Sequence, residues 1–598
     1  MTSGQTSSNS SSEKYDVYIG LDVGTQSTKA LLYHPFSNKI LGRSSVQYDL
    51  SPNPNNIIGR AEQSPDLWID AVIQSVCDLS NRFSLSGVSS SSSKEEEEQQ
   101  QQLWILRGIG VSGQQHGMVA LSDKFQPIRD AKLWCDVEAA EEAKVFSEQA
   151  SSLLQNEQQN DDIKWTIPPG FTAPKVLWFL KNEETLYTEK TRWIVLPHDY
   201  VNLFLRGATM VDANEDDSRD FVPTTDAGDA SGSGIFDPAT RAYDERLASI
   251  IDPTGKYYDA LPKILQPNAI CGTIHPKIKE KLNVDTNNCH DIYISAGSGD
   301  NMCSALGCGC VSPGMAVLSL GTSGTIFGVS DEPVTTGTEI APFCDATGRH
   351  LPLACIMSCT GVLNSVLENW CSYSGNETRK TLTHEEATHF AALHPPGCYG
   401  ISFLPYLGGE RTPNWPHASG SLLGLTFQNM KHFSSNEEHR IGLFYRLAME
   451  GITYLLADSL ESMKDACSNK GKVAEGENSK KKGGFNPKRL LVVGGGSKNE
   501  LWRQMLADVL DLDLCFPLEA ESAALGAAFQ AGAAVAANEC NQVGEDDVSV
   551  SVEDFVSKQH IDMEESVVKP TENEGVKQLY QEGLKRYREW SNFLFDSP

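Results

Sequence analysis

The sequence predicts an α/β protein of two domains built on one repeated plan, and three observations carry the prediction. Strand-like apolar runs alternate with helical stretches along the chain, as in α/β folds. A strand, a Gly-Thr turn and a returning strand occur near the start and again after Asp300, a weak echo that suggests duplication. The length, 598 residues, exceeds what one hydrophobic core organises, so each copy has room for its own.

Residues 1–14 are nearly all Ser, Thr, Gly, Gln and Asn, without the apolar stretch of a secretory signal, and read as a polar arm. The first domain is placed at 15–296. It opens with a strand at Tyr15–Leu21, a turn at Asp22-Val-Gly24-Thr25-Gln and a strand at Ser27–Tyr33, which together make a hairpin. A dinucleotide fingerprint would need a helix and a GxGxxG there, and neither is present. A strand at Trp104–Val111 leads into Gly113-Gln-Gln115-His116-Gly117, and a strand at Asp291–Ile294 precedes Ser298-Gly-Asp300-Asn301 and a helix-like Met302–Gly307.

The second domain is placed at 297–537. Its hairpin is Ala316–Leu320, Gly321-Thr322-Ser-Gly324 and Thr325–Val329; later a strand at Leu490–Val493, a glycine loop at Gly494–Asn499 and a helix at Glu500–Leu510 follow in turn. Polar segments at about 84–102, 155–162, 212–220 and about 468–486 read as loop inserts, and 538–574 as an acidic linker, because their composition offers too little apolar surface to order itself. Residues 575–598 read as a closing helix whose Leu579, Leu584, Tyr587, Trp590 and Leu594 recur at helical spacing and pack on a domain surface.

With 49 Lys and Arg against 79 Asp and Glu, the formal charge of −30 excludes nonspecific binding to nucleic acid or to an anionic membrane, both of which need clustered basic residues. The long uncharged run Met302–Ser330 is broken by too many glycines to span a bilayer. Fifteen cysteines without a secretory signal read as free thiols in the cytoplasm, and Cys303, Cys308 and Cys310 lack the partners of a zinc site.

Four motifs carry chemistry, each with a plainer alternative. The Gly24-Thr25 hairpin offers backbone N–H groups to a phosphate and Asp22 to Mg²⁺; the alternative is an ordinary hairpin turn. The loop Gly494–Asn499 admits an anionic or flat ligand at a helix N-terminus; the alternative is tight packing with Ser497 or Asn499 as cap. Asp300, beside a glycine at a strand end, suits a substrate hydroxyl, or else caps the next helix. Gln115 and His116 suit polyol hydroxyls, or are a polar loop.

Taken in order, these motifs together with Glu62-Gln-Ser-Pro-Asp-Leu-Trp68, Trp134-Cys-Asp136, Phe171-Thr-Ala-Pro-Lys175, Pro197-His-Asp-Tyr200, Asp229-Ala-Ser-Gly-Ser-Gly-Ile-Phe-Asp237 and Leu404-Pro-Tyr-Leu-Gly-Gly-Glu-Arg-Thr-Pro413 resemble the FGGY family of carbohydrate kinases over Tyr15 to Gln530. The resemblance implies two duplicated ribonuclease H-like domains, of the actin, Hsp70 and sugar kinase type, around a central cleft. It implies ATP and Mg²⁺ and, from Gln-x-His-Gly with Phe-Thr-Ala-Pro-Lys, D-xylulose as the sugar; ribulose, gluconate or glycerol are the alternatives within the family, and an actin- or Hsp70-like ATPase module the alternative outside it.

Carried over by position, the resemblance implies Asp300 as catalytic base, with Gln115, His116, Asn301, Trp134 and Asp136 on the sugar side. Gln115 departs from the Met common in bacterial members. Gly24, Thr25, Gly321 and Thr322 match the phosphate loops, Gly495, Gly496 and Asn499 the adenosine motif, and Asp22 the position near Mg²⁺. Members often dimerise, so a homodimer enters as an expectation. An Asp of ordinary pKa, about 3.9, is a weak base for a hydroxyl, so Asp300 is expected to orient its substrate as much as deprotonate it.

Overall fold

The computed structural model describes residues 14–86, 103–158, 165–210, 221–287, 289–334, 339–373, 380–433, 436–468, 485–543 and 550–596; the polar arm and most of the four inserts lie outside these residues. In the first lobe, β1 (Lys14–Val23), β2 (Ser27–His34), β3 (Lys39–Gln47), β4 (Leu103–Gly113), β5 (Ile270–Thr273), β6 (Tyr293–Ser295) and β7 (Ser298–Gly299) form one sheet in the order β5-β6-β4-β1-β2-β3, with β7 paired to β4. In the second, β8 (Met315–Leu320), β9 (Gly324–Gly328), β10 (Ala341–Cys344), β11 (His350–Ile356), β12 (Arg489–Val493) and β13 (Asp513–Cys515) run in the order β10-β11-β9-β8-β12-β13.

The two sheets repeat one plan. In the first, β1 pairs antiparallel with β2, β2 antiparallel with β3, β1 parallel with β4 and β4 parallel with β6. The second makes the same four pairings with β8, β9, β11, β12 and β13 in those places. The echo between the two Gly-Thr turns is therefore a duplication of the whole sheet. β1 and β8 are central strands covered on both faces, which is why Val17–Leu21 and Ala316–Leu318 read as unbroken apolar runs instead of alternating.

Helices α1 (Pro65–Phe83) and α2 (Pro197–Leu205) cover one face of the first sheet, where Trp68, Val72 and Val201 join Val17, Ile19 and Leu21 in a core. On the other face lie α3 (Asp300–Gly307), which follows β7, and the alanine-rich α7 (Ser522–Val543). Between them in the chain come α4 (Thr360–Trp370), α5 (Glu437–Ser468) and α6 (Glu500–Leu510), which serve the second lobe. Although α7 follows β13, its backbone lies against the first sheet. Gly20 and Gly110 are paired neighbours on β1 and β4, and a Cβ on them would fall 1.8 Å from Ala524 O and 1.9 Å from Ala527 O. Against α3 the approach is mutual: a Cβ on Gly307 would fall 1.9 Å from Ser522 O and one on Gly526 1.8 Å from Cys303 O. One core consequently contains Tyr18 and Leu31 of the first sheet, Val317 and Phe327 of the second, and Ala524 and Phe529 of α7.

Three details correct the sequence reading. The boundary at 537 falls inside α7, which runs to Val543. Within the acidic stretch 538–574, the described residues 550–574 are anchored at intervals: α8 (Val552–Ser557) buries Val552 and Val556, Leu514 bridges Val568, Pro517 bridges Met563, and Glu564 receives two Arg503 guanidinium nitrogens at 2.6 and 2.8 Å. Composition averaged over the stretch hid these spaced apolar residues. The closing helix, α9 (Glu574–Phe595), turns inward only part of the expected set: Tyr587 is buried and Leu584 packs against the core, Leu579, Trp590 and Leu594 are exposed, and Tyr580, Gly583 and Ser591 are buried instead. Polar bonds set this choice, since Tyr580 Oη accepts from Arg446 and Tyr587 Oη bonds Tyr406 Oη on elements of the second lobe.

Among the described residues no helix is long and apolar enough to cross a membrane. All fifteen cysteines are free, and Cys303, Cys308 and Cys310 are buried apolar residues.

Candidate active site

Strand register assembles the site. β1, β4 and β7 are parallel neighbours ending at one level, with Asp22, Ser112 and Ser298 in one row and Val23, Gly113 and Gly299 in the next. One residue further on, the chain presents Gly24, Gln114 and Asp300 side by side. Parallel strands of this kind place ligand-binding groups at their carboxyl ends. Gly113 and Gly299 leave room at this edge: a Cβ on Gly299 would lie 2.6 Å from Gln115 Cγ.

Asp300 is the first residue of α3, and its Oδ1 accepts from Asn301 N at 2.8 Å and Asn301 Nδ2 at 3.0 Å. Asn301 Nδ2 also donates to Gln115 Oε1 at 2.8 Å, which ties Gln115 to the same corner. Gln115 Nε2 is buried without a hydrogen-bond partner among the described residues, a donor of the kind a bound hydroxyl or carbonyl would satisfy. His116 adopts a left-handed φ of 63°, stacks on Phe171 with ring centroids 4.3 Å apart, and bonds Gly232 O through Nδ1 at 2.9 Å. Burial, with Lys175 and Arg411 nearby, holds its pKa well below the usual histidine range, so the ring is neutral.

Residues assigned no individual role from the sequence hold this corner. The Lys175 ammonium, fully buried, donates to His116 O at 3.0 Å and Gly170 O at 2.7 Å, and Thr172 Oγ1 donates to His116 O at 3.1 Å. The Phe-Thr-Ala-Pro-Lys motif is thus the cradle of His116; its buried lysine was the available signal. Gln63 holds the hairpin turn by donating to Thr25 O at 2.9 Å and accepting from Trp68 Nε1 at 2.8 Å.

Trp134, 42% exposed, donates through Nε1 to Thr25 Oγ1 at 2.9 Å, so it sits at the first hairpin turn. Asp136 is fully buried, and its carboxylate accepts from Ala61 N, Glu138 N and Lys132 Nζ. Those bonds brace the loop behind Trp134, and the structure does not bring the Asp136 carboxylate into the Asp300 corner. Glu62, Asp136 and Glu138 have the spacing of a cation site, but the Lys132 ammonium already fills their centre, 3.0, 3.3 and 2.6 Å from them.

The second lobe supplies the matching edge. Ser319 and Val493 are paired on β8 and β12, so the Gly321-Thr322 turn and the Gly494 loop leave adjacent strand ends. The N-terminus of α4 pins the turn, with Thr360 N and Oγ1 donating to Gly321 O at 3.0 and 2.6 Å and Gly361 N to Thr322 O at 3.1 Å. Gly494 needs its φ of 90° and its lack of a Cβ, which would lie 2.7 Å from Leu320 O. An added Cβ on Gly495 would meet nothing within 4 Å, which leaves its backbone open to a ligand. Asn499 is the N-cap of α6, accepting from Trp502 N at 3.1 Å, and its amide donates to Thr388 Oγ1 at 2.8 Å.

Burial governs the charges at the first edge. It pushes Asp22 up to about 6 against the opposing pull of Lys29 and the Ser112 hydroxyl, 3.2 Å away. It pushes Asp300 up to about 7, and the nearby charges of Asp22 and Asp229 add to the rise. Two carboxylates short of compensating positive charge, with oxygen donors only, fit a hard divalent cation such as Mg²⁺. Burial thus raises Asp300 above the ordinary carboxylate pKa assumed from the sequence.

Models of the FGGY family of carbohydrate kinases match the chain twice, the N-terminal domain over residues 17–307 and the C-terminal domain over 316–535. The chain is 32% identical over 516 residues to a xylulose kinase of Haemophilus influenzae, covering 86% of this chain and 90% of that protein. The chain belongs to the FGGY family of carbohydrate kinases. Among solved structures the FGGY architecture recurs in a ligand-bound xylulose kinase from Lactobacillus acidophilus, at a TM-score of 0.72, 24% identity and coverage of 97% and 98%. It recurs equally in a gluconate kinase from the same organism, at a TM-score of 0.71, 24% identity and coverage of 97% and 98%.

Proposed function

We propose that the protein transfers the γ-phosphoryl group of ATP to D-xylulose, forming D-xylulose 5-phosphate, in the cytoplasm, where its free thiols stay reduced. The observation that carries the reading is the likeness to a xylulose kinase over nine-tenths of that protein's length. The Asp300 corner supports it chemically. Asp300 orients the attacking hydroxyl and accepts its proton; Gln115, His116 and Asn301 bind the neighbouring sugar oxygens, and Trp134 with the segment braced by Asp136 borders them. Gly24, Thr25, Gly321 and Thr322 hold the phosphates through backbone N–H groups and hydroxyls, and Gly495, Gly496 and Asn499 border the adenosine. Mg²⁺ held near Asp22 supplies neutralisation of the phosphate charge. Phosphoryl transfer needs mainly positioning and charge stabilisation, which such a set provides.

A panel of ketoses, polyols and aldonates with ADP release as readout tests the reading. D-xylulose is expected to give the highest kcat/KM, and a higher value for ribulose, gluconate or glycerol overturns it. The acid limb of the pH profile is a second test. Asp300 acts as a carboxylate, and burial raises its pKa, so activity is full above that pKa and is lost as the pH falls through about 7. A bound cation shifts the limb downward; kcat/KM for sugar that stays flat to pH 4 contradicts the role.

A further inference from the structure

Directly beneath the Asp300 turn lies a buried charge cluster that the reaction as described above does not use. It comprises His198 and Asp199 from the first turn of α2, Asp226, and Asp229 of the short helix Ala227–Ala230, all at most 1% exposed. His198 Nδ1 donates to Asp229 Oδ2 at 2.7 Å, and Nε2 lies 3.1 Å from Asp199 Oδ1, an ion-pair contact without hydrogen-bond alignment. Asp226 caps the short helix by accepting from Gly228 N and Asp229 N, both at 2.9 Å, and accepts the Ser298 hydroxyl at 2.7 Å.

The cluster grips the strand ends that carry the site. His198 fills the space left by two glycines: a Cβ on Gly297 would lie 2.7 Å from its ring atom Cδ2, and one on Gly113 would lie 2.8 Å from its backbone N and 2.9 Å from its Cβ. Gly113 leads into Gln115 and His116, and Gly297 into Ser298 and Asp300. One turn along α2, Asn202 Nδ2 donates to Ala296 O at 2.8 Å. Helix α2 therefore holds the β7 turn at three successive residues, with Asn202 on Ala296, His198 on Gly297 and, through Asp229 and Asp226, the bond to Ser298.

This arrangement is costly. Three carboxylates face one imidazole, and Asp199 Oδ1 and Asp229 Oδ1 are buried without a hydrogen-bond partner among the described residues. Apolar side chains of like volume would pack the same space without that penalty, and under-satisfied buried charge gathers where function requires it. Resting on the reading of Asp300 as base, we propose that His198 is a positioning residue for the phosphoryl transfer: clamped between Asp199 and Asp229, it fixes the Gly297–Gly299 turn that presents the Asp300 carboxylate to the substrate hydroxyl. The neighbouring Asp199, Asp229 and Asp226 outweigh burial and raise the His198 ring to about 9, while burial raises the three carboxyls as well. Tyr243 also lies in the field of these carboxylates and stays neutral.

The test compares His198→Gln, His198→Lys and Ser298→Ala in the full chain, with kcat, KM for ATP, KM for D-xylulose and thermal melting for each. His198→Gln is expected to lower kcat roughly ten- to a hundredfold, as a sub-ångström to 1 Å displacement of a reacting group does. KM for ATP stays within about twofold, since the nucleotide loops lie on other strands. His198→Lys, which restores a cation between the carboxylates, recovers most of kcat. Ser298→Ala, which severs only the link to Asp226, lowers kcat several-fold and keeps the proposal falsifiable where His198→Gln does not fold. Unchanged kcat in His198→Gln or in Ser298→Ala, or a lysine variant no better than glutamine, overturns the positioning role. Asp300→Ala assayed in parallel separates the two readings: near-normal turnover there refutes the base, whereas its loss beside an intact His198→Gln enzyme refutes only the positioning role.

Discussion

Replacing Asp300 with alanine is expected to lower kcat by roughly 10²- to 10⁴-fold, the range that a positioned general base supplies. Asp300 stands at the end of β7, one step beyond the row of Val23, Gly113 and Gly299, and Asn301 binds its Oδ1 so that the carboxylate keeps one orientation. Among the described residues nothing in the second lobe bonds it: its hydrogen bonds come from Asn301, and its charged neighbours are Asp22 and Asp229 of the first lobe. On the proposed reading the nucleotide is held by the loops at Gly24, Gly321 and Gly494, none of which bonds Asp300 among the described residues, so ATP affinity is expected to survive. ATP binding by calorimetry alongside the steady-state assay checks both halves, and near-normal turnover in the variant would remove Asp300 from the chemistry. Asp300→Asn should be nearly as inactive, because an amide keeps the shape but accepts no proton.

The second large effect is on folding. Gly110→Ala is expected to destabilise the protein by about 4 kcal/mol or more, at the far end of single-substitution effects. The added Cβ would lie 1.9 Å from Ala527 O and 2.6 Å from its carbonyl carbon, which are backbone atoms of a helix that cannot swing aside as a side chain can. Relief requires α7 to move off the sheet, and α7 is also locked to α3 through Gly307 and Gly526, so the disturbance reaches the helix that begins at Asp300. Gly408→Ala is the control, since its Cβ would meet nothing within 4 Å. Thermal or denaturant unfolding of both variants decides the matter; equal stability would show that the contact between α7 and the sheet is loose.

Much of the fold was legible because its signals are local. The hairpins declare themselves by apolar runs around Gly24-Thr25 and Gly321-Thr322, and the helix Glu500–Leu510 is announced by Asn499, the side chain that caps it. The Asp300 corner was legible through the order of its motifs. What escaped depends on contacts far apart in the chain: the Asp226 and Ser298 pair is 72 positions apart, and Lys175 reaches His116 O across 59. The packed stretch 550–573 escaped because its few inward residues, among them Val552, Val556 and Met563, are diluted by outward acidic ones.

By itself, then, the sequence determined the duplicated α/β plan and the two Gly-Thr hairpins, since turn chemistry and hydrophobic period act over a few residues. Only the tertiary structure decided that α7 belongs to the first sheet, that Asp136 is consumed by Lys132 and backbone N–H groups, and that His198 lies against Gly297 and Gly113. These depend on which backbones approach within contact distance and on how burial redistributes charge. Neither quantity exists until the strands are in register and water has been excluded from between them.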